Sequence, residues 1–156
     1  MNILREYQAK DFESVITIFR KSVHEICCHD YSAEQLNAWA PDSLDIDAWS
    51  ARLNNGGVFI VEQKDSIVGF TRVDGHGYLD LLYIHPDYQR QGIGKMLIER
   101  VISWASEHNI KQLVSDVSIT ARPIFELFGF KLLAKQTVER HGTFLINFRM
   151  KLEIST

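Results

Sequence analysis

The chain has 156 residues, 46% of them hydrophobic and 24% charged, and carries a formal net charge of −3. That length and balance suit a single domain over residues 1–156 with a substantial core. The acidic charge, without a long basic run, argues against a nucleic-acid partner, and no apolar run is long enough to span a membrane.

Taken in order, Asn2 to Tyr7 reads as a strand. It has no signal-peptide core, so a cytoplasmic protein is expected. From Gln8 to about Ile26, Phe12, Val15, Ile16, Phe19 and Val23 recur every three or four residues, the apolar face of a helix. A second helix starts at Ser32, with Gln35 completing a capping box, and is stopped by Pro41. A third, around Trp49, covers Asp45 to Leu53 before the break Asn54-Asn55-Gly56-Gly57. Val58 to Glu62 and Ser66 to Val73 form a predicted hairpin about Lys64-Asp65. Tyr78 to Ile84 is a strand, and a helix opens near Gly94 with Leu97, Val101, Trp104 and Ala105 on one side. Gln112 to Ser118 is a strand, and Pro123 to Leu127 a short helix ended by Gly129. Phe130 to Glu139 and Thr143 to Leu152 make a last hairpin about His141-Gly142. This order implies a mixed α/β sandwich around one core.

The stretch from Tyr78 to Lys95 carries the chemistry. A strand, a turn and a glycine-bearing loop lead into a helix, an order that builds an anion site. The first amides of a helix lack intrahelical partners and their dipoles are aligned. Arg90 and Lys95 add positive charge. The loop is not a P-loop, because Met96 follows Lys95 and Gln89 replaces the first glycine. It is not a dinucleotide fingerprint either, since Leu97 stands where the third glycine belongs.

What remains is Gln89, Gly92 and Gly94 in the pattern Q-x-x-G-x-G, behind His85-Pro86. This resembles the acetyl-CoA loop of the GCN5-related N-acetyltransferases. Downstream, Ala121 to Phe130 is similar to that family's A-x-x-F-Y-x-x-x-G-F helix and turn, and the element order matches over nearly the whole chain. Asp30-Tyr31-Ser32, Asn37 to Pro41 and Val138-Glu139-Arg140 resemble the bacterial YafP-like subgroup. The resemblance implies a mostly antiparallel mixed sheet with a splayed central parallel strand pair, flanked by helices on both faces. It implies acetyl-CoA as co-substrate and direct attack by a primary amine, with a small molecule expected as acceptor. The pantetheine arm would pair with backbone at Leu82, Tyr83 and Ile84, freed by a bulge in the strand. The pyrophosphate would rest on Gln89, Arg90, Gln91, Gly92, Ile93, Gly94 and Lys95.

Asp80 is the one charged residue in an apolar strand, so it is the candidate base, or else it pairs with Arg72 or Thr71. His76 is a second base candidate or a solvated turn residue, and Tyr78 lines the acceptor pocket or belongs to the core. The family's usual acid, a tyrosine, is Phe125 here, which leaves Tyr83 and Tyr31 as substitutes or simply as packing. Ser118 replaces an asparagine that contacts the cofactor in many relatives. His24, Cys27, Cys28 and His29 suggest a metal site, and on a helix His24, Cys27 and Cys28 would share a face, but no second ligand pair follows; the expectation is no metal and a buried cysteine pair. The adjacent cysteines form no disulfide framework. A homodimer is compatible with the sequence. Two other readings stand beside the leading one: a CoA-binding regulatory or interaction module without catalysis, and transfer of a different acyl group.

Overall fold

The computed structural model describes residues 1–155. Strand β1 (Asn2–Glu6) lies beside β2 (Gly57–Gln63), which forms a hairpin with β3 (Ser66–Val73), and β4 (Leu79–Ile84) closes a four-stranded antiparallel sheet in the order β1-β2-β3-β4. A second sheet runs β5 (Gln112–Ser118), β7 (Thr143–Glu153), β6 (Lys131–Arg140). Five α-helices connect and cover them: α1 (Phe12–Ile26), α2 (Ala33–Trp39), α3 (Ile46–Leu53), α4 (Ile93–Glu107) and α5 (Arg122–Leu127). Among the described residues no helix is long and apolar enough to cross a membrane.

Local chemistry explains most boundaries. Lys64 and Asp65 both have positive φ, as do His141 and Gly142. Two such residues in succession give the turn whose twist matches a hairpin. Ser32 Oγ accepts the Gln35 amide while Gln35 Oε1 accepts the Ser32 amide, at 3.1 and 2.9 Å, so the capping box is real. Asp45 caps α3 in the same way, accepting the Ala48 amide at 3.0 Å. The first helix differs from its predicted start: Ala9–Asp11 is a 3-10 turn, and the α-helix begins at Phe12. There Asp11 accepts the Gln8 amide and both terminal guanidinium nitrogens of Arg5, which fixes the turn before the helix proper.

The first sheet is buried on both faces; the period of two divides the side chains of β2 between them, and in β3 a bulge at Val68 puts Val68 and Phe70 on opposite faces. Ile60 and Phe70 pack with Val15, Ile16, Phe19 and Val23 of α1. Phe59, Val61 and Val68 face Ile93 and Leu97 of α4. The C-terminal half of α4 lays Ile98, Val101 and Ala105 on Val73, Leu79, Leu113 and Val117, and so bridges the two sheets. The helices therefore hold β4 and β5 side by side without requiring the strands to pair along their length.

Candidate active site

Strands β4 and β5 run parallel and touch at one bridge, Tyr78 to Val114, where the Val114 amide donates to the Gly77 carbonyl at 2.9 Å. One side chain continues the contact, Ser115 Oγ donating to the Leu79 carbonyl at 2.6 Å. Beyond it no ladder between the two strands is formed among the described residues, and a cleft of about 560 Å³ opens. The register of β3 with β4 shows why β4 turns away. Arg72 pairs with Leu81 and Val73 with Leu79, so Asp80 is the extra residue of a bulge. The expected bulge in this strand thus falls on its one charged residue.

The far end of the cleft is the loop into α4. Arg90 and Gly92 both take left-handed backbone, with φ of 60° and 79°. Gly92 is the helix N-cap and its carbonyl accepts the Met96 amide at 3.1 Å. The amides of the first helical turn, Ile93 to Lys95, have no partner within the helix. The two glycines serve different ends. Gly92 supplies φ, with open space around it. Gly94 is buried, and a Cβ there would stand 2.7 Å from Ile124 Cδ1, so its missing side chain lets α4 approach α5.

Leu82, Tyr83, Ile84, Gln89, Arg90, Gly94, Ser118 and Phe125 all line the cleft, together with Asp80. Of the other loop positions, Gln91 is exposed and accepts from Gln63 Nε2 at 3.3 Å, Lys95 is exposed, and the Ile93 side chain is buried under the sheet. Two details depart from expectation. Gln89 Nε2 donates to the Ile84 carbonyl at 2.9 Å, so that carbonyl already has a partner and Gln89 braces the loop. Ser118 Oγ accepts the Ala121 amide at 3.0 Å, which leaves its hydroxyl proton to donate elsewhere. Phe125 is buried edge-on against Phe130, with ring centroids 4.9 Å apart.

A second cavity, of about 380 Å³, lies on the other side of β4 under α2, α3 and the β6–β7 hairpin. Tyr78 lines it, and five further rings line it in a continuous series. Trp49 meets Phe19 at 4.7 Å, Phe19 meets Tyr83 at 5.1 Å, Tyr83 meets Trp39 at 6.4 Å and Trp39 meets Tyr31 at 5.4 Å. Cleft and cavity share Trp39, Asp80, Tyr83, Asp116 and Ser118.

At that junction Asp80 Oδ2 accepts Arg52 Nε and an Arg72 guanidinium nitrogen, each at 2.8 Å. The ion pair with Arg72, weighed from sequence against a catalytic role, exists, and Arg52 is a second partner that the sequence did not signal. Asp80 Oδ1 is buried without a partner. A buried acceptor left unpaired costs about 1–3 kcal/mol, which makes it a place where a ligand N–H would be favourable. Asp116 is a site residue that sequence reasoning misses. Its carboxylate accepts the Tyr78 hydroxyl at 2.7 Å, Gln136 Nε2 at 2.9 Å and both Arg149 Nε and a terminal nitrogen at 2.9 and 3.0 Å. Burial pushes this carboxyl up, but those hydrogen bonds outweigh it and hold it below the usual range. The signal that could have found it is the alternation of β5, which places Asp116 on the opposite strand face from the buried Ser115 and Val117.

Tyr31 does not reach the junction; it lines only the cavity, and its hydroxyl is committed. It donates to the Ile146 carbonyl at 2.6 Å and accepts the Ile119 amide at 2.9 Å, with its pKa pushed by burial up to about 12. Burial likewise raises Tyr83. His76 is an exposed turn residue whose amide donates to Asp74 Oδ1 at 2.9 Å. His24 Nε2 donates to the Ala40 carbonyl at 2.7 Å, and of the expected buried cysteine pair only Cys27 is buried, its thiol pushed by burial up to about 11, while Cys28 is exposed at the helix end.

Residues 27–152 match the model of the acetyltransferase (GNAT) domain. The chain is 34% identical over 148 residues to the uncharacterized N-acetyltransferase YafP of Escherichia coli K12, covering 95% of this chain and 93% of that one. It is 30% identical to the peptidyl-lysine N-acetyltransferase YjaB of Salmonella typhimurium LT2, over 89% of this chain and 90% of the relative. Among solved structures it resembles a GCN5-related N-acetyltransferase of Rhodopseudomonas palustris, with a TM-score of 0.94, 31% identity and coverage of 98% and 96%. The fold alone is shared with the PaiA N-acetyltransferase of Thermoplasma acidophilum in complex with coenzyme A, at TM-score 0.80, 17% identity and coverage of 98% and 99%. A splayed β4–β5 pair ending in a glycine loop at a helix N-terminus, with a matching domain model and relatives along its length, places the chain in the acetyltransferase (GNAT) family of N-acetyltransferases.

Proposed function

We propose that the chain works as one catalytic domain that moves the acetyl group of acetyl-CoA to the primary amine of a small molecule, by direct attack in a ternary complex. One observation carries this reading: the cleft and the aromatic cavity meet at Asp80, Tyr83 and Ser118, so a thioester in the first and an amine in the second can face each other. The pantetheine arm lies along the free edge of β4 at Leu82 and Tyr83, and pairs with backbone as an added strand would. The pyrophosphate rests on the amides between Gln89 and Lys95, with Arg90 beside it. A β4 amide near Leu82 or Tyr83 stabilises the developing oxyanion. Asp80 Oδ1 accepts a proton or hydrogen bond from the attacking nitrogen. Phe125 has no proton to give, so the thiolate departs without an acid at that position.

Juxtaposition is the main catalytic resource here. Holding amine and thioester at near-attack distance is worth up to about 7–11 kcal/mol. An acceptor of limited size is supported by a cavity of about 380 Å³ walled on several sides. The test is calorimetric titration with acetyl-CoA, followed by thiol release with a panel of amines. Binding of acetyl-CoA with acceptor-dependent thiol release is expected. Binding with no release for any amine would favour a CoA-binding module, and tighter binding of a longer acyl-CoA would reassign the donor.

A further inference from the structure

Transfer to an amine leaves the kind of amine open, and the charge balance of the cavity narrows it; the acceptor class drawn from that balance rests on the transferase reading. Three carboxylates line the cavity, Asp45, Asp80 and Asp116. Each is already answered. Asp80 carries Arg52 and Arg72, Asp116 carries Arg149, and Asp45 caps α3, where the helix N-terminus offsets a negative charge. Arg140 also lines the cavity. Two guanidiniums, Arg52 and Arg140, line the cavity, and Arg72 and Arg149 reach its carboxylates from outside the lining; with these partners included, three carboxylates stand against four guanidiniums. Nothing in that balance draws in a cation. The rings would attract one, but Arg52 already lies over Trp49, 5.2 Å from the ring centroid. What the cavity does offer is an apolar wall of five rings and one unpaired acceptor, Asp80 Oδ1, buried on a side chain only 7% exposed.

We infer that the acceptor is a weakly basic aromatic amine, uncharged at neutral pH, whose ring packs on the Trp49–Phe19–Tyr83–Trp39 wall and whose N–H points at Asp80 Oδ1. Its nitrogen lone pair attacks the thioester carbonyl carbon and the carbon–sulfur bond breaks. Coenzyme A leaves as the thiolate. The surplus proton passes from nitrogen to Asp80 Oδ1 and through solvent to the thiolate, giving an N-aryl acetamide and free thiol. An alkylamine or lysine side chain must first lose a proton, and at pH 7 on the order of one molecule in a thousand is neutral. Arg52 is then a positioning residue that also excludes cations.

The experiment compares aniline with benzylamine, spermidine and a lysine peptide, reading thiol release with acetyl-CoA at pH 7. Aniline is expected to exceed each of the others in kcat/KM by about tenfold or more, and its rate to stay level from pH 6 to 8, whereas the benzylamine rate rises with its neutral fraction. Arg52→Gln is expected to shift the benzylamine-to-aniline ratio upward by about threefold, and Arg52→Lys to restore it; a merely structural Arg52 would lower both rates together. Trp49→Ala is expected to raise KM for aniline about fivefold at unchanged acetyl-CoA affinity. Preference for benzylamine, spermidine or the peptide at pH 7, or an unchanged ratio in Arg52→Gln, would overturn the inference while leaving the transferase reading intact. Absence of thiol release with every amine, alongside normal acetyl-CoA binding, would instead remove the transferase reading and this inference with it.

Discussion

The β4–β5 cleft and the aromatic cavity share a border at Asp80 and Tyr83 but are assembled in opposite ways. The cleft offers backbone: the free edge of a bulged strand and the first amides of a helix, all from the continuous run Leu79 to Lys95, with β5 as its far wall. The cavity offers side chains, drawn from α1, α2, α3, β4, β5, β6 and β7. Backbone recognition depends on φ and on the absence of side chains. Side-chain recognition depends on what stands opposite. A substitution in the first region is therefore expected to act on cofactor binding, and one in the second on the acceptor.

The strongest way to break that division is Gly92→Trp. Gly92 has a φ of 79° and opens on the helix amides, so the indole both strains the backbone and covers the anion site. Loss of acetyl-CoA affinity by about 100-fold or more is expected, with turnover lost alongside. Unchanged calorimetric affinity would move the phosphates away from this loop. Next, Asp80→Asn keeps the shape of the side chain but removes its charge from between Arg52 and Arg72. Turnover is expected to fall by about 100-fold, with acetyl-CoA affinity preserved; a variant of wild-type turnover would make Asp80 structural.

Asp116 sharpens the comparison from the side of stability. Its carboxyl is held below the usual range by Arg149, Tyr78 and Gln136 against the opposing effect of burial. A lowered folded-state value means that its contribution is present above the ordinary carboxylate pKa and is lost as pH falls through the lower folded value. Asp11, lowered chiefly by Arg5, acts in the same direction. Asp116→Asn should cost about 1 kcal/mol at neutral pH, the modest figure reflecting an Arg149 that is 45% exposed. Urea unfolding at pH 7 and pH 3 measures this, and the gap between the two proteins should narrow at pH 3; an equal gap would show that the ion pair contributes nothing. The smallest effect concerns the cysteines. Cys28 is exposed, while Cys27 is buried, lines the cleft and is pushed up to about 11. Iodoacetamide at pH 8 should label Cys28 first, and mass spectrometry showing Cys27 labelled at the same rate would mean the cleft opens more than its packing suggests.

The two regions are also unequally visible in the sequence. The loop and the helix starts at Ser32 and Asp45 are local: each depends on residues within a few positions, so their pattern survives in one dimension, whereas the bulge in β4 was expected from the family resemblance alone and depends on register with β3. The strand and helix order is readable for the same reason, and boundaries shift where a third partner intervenes, as Arg5 does at the start of α1. Asp80 stands out because a charge in an apolar strand needs a partner. Which partner is only half legible. Arg72 lies opposite on the adjacent strand, whereas Arg52 arrives from α3, 28 residues away. Tyr31 illustrates the limit. Its hydroxyl joins Ile119 to Ile146, groups 88 and 115 residues distant, and nothing near Tyr31 announces it.

By itself, then, the sequence determined the elements, the glycine loop and the family, because backbone conformation and apolar periodicity are short-range properties of the chain. Only the tertiary structure decided that Asp80 is clamped by two guanidiniums, that Asp116 stands where cleft and cavity meet and that five rings line the cavity beside them. Those facts depend on side chains meeting across long stretches of sequence, where burial rather than spacing selects the partner.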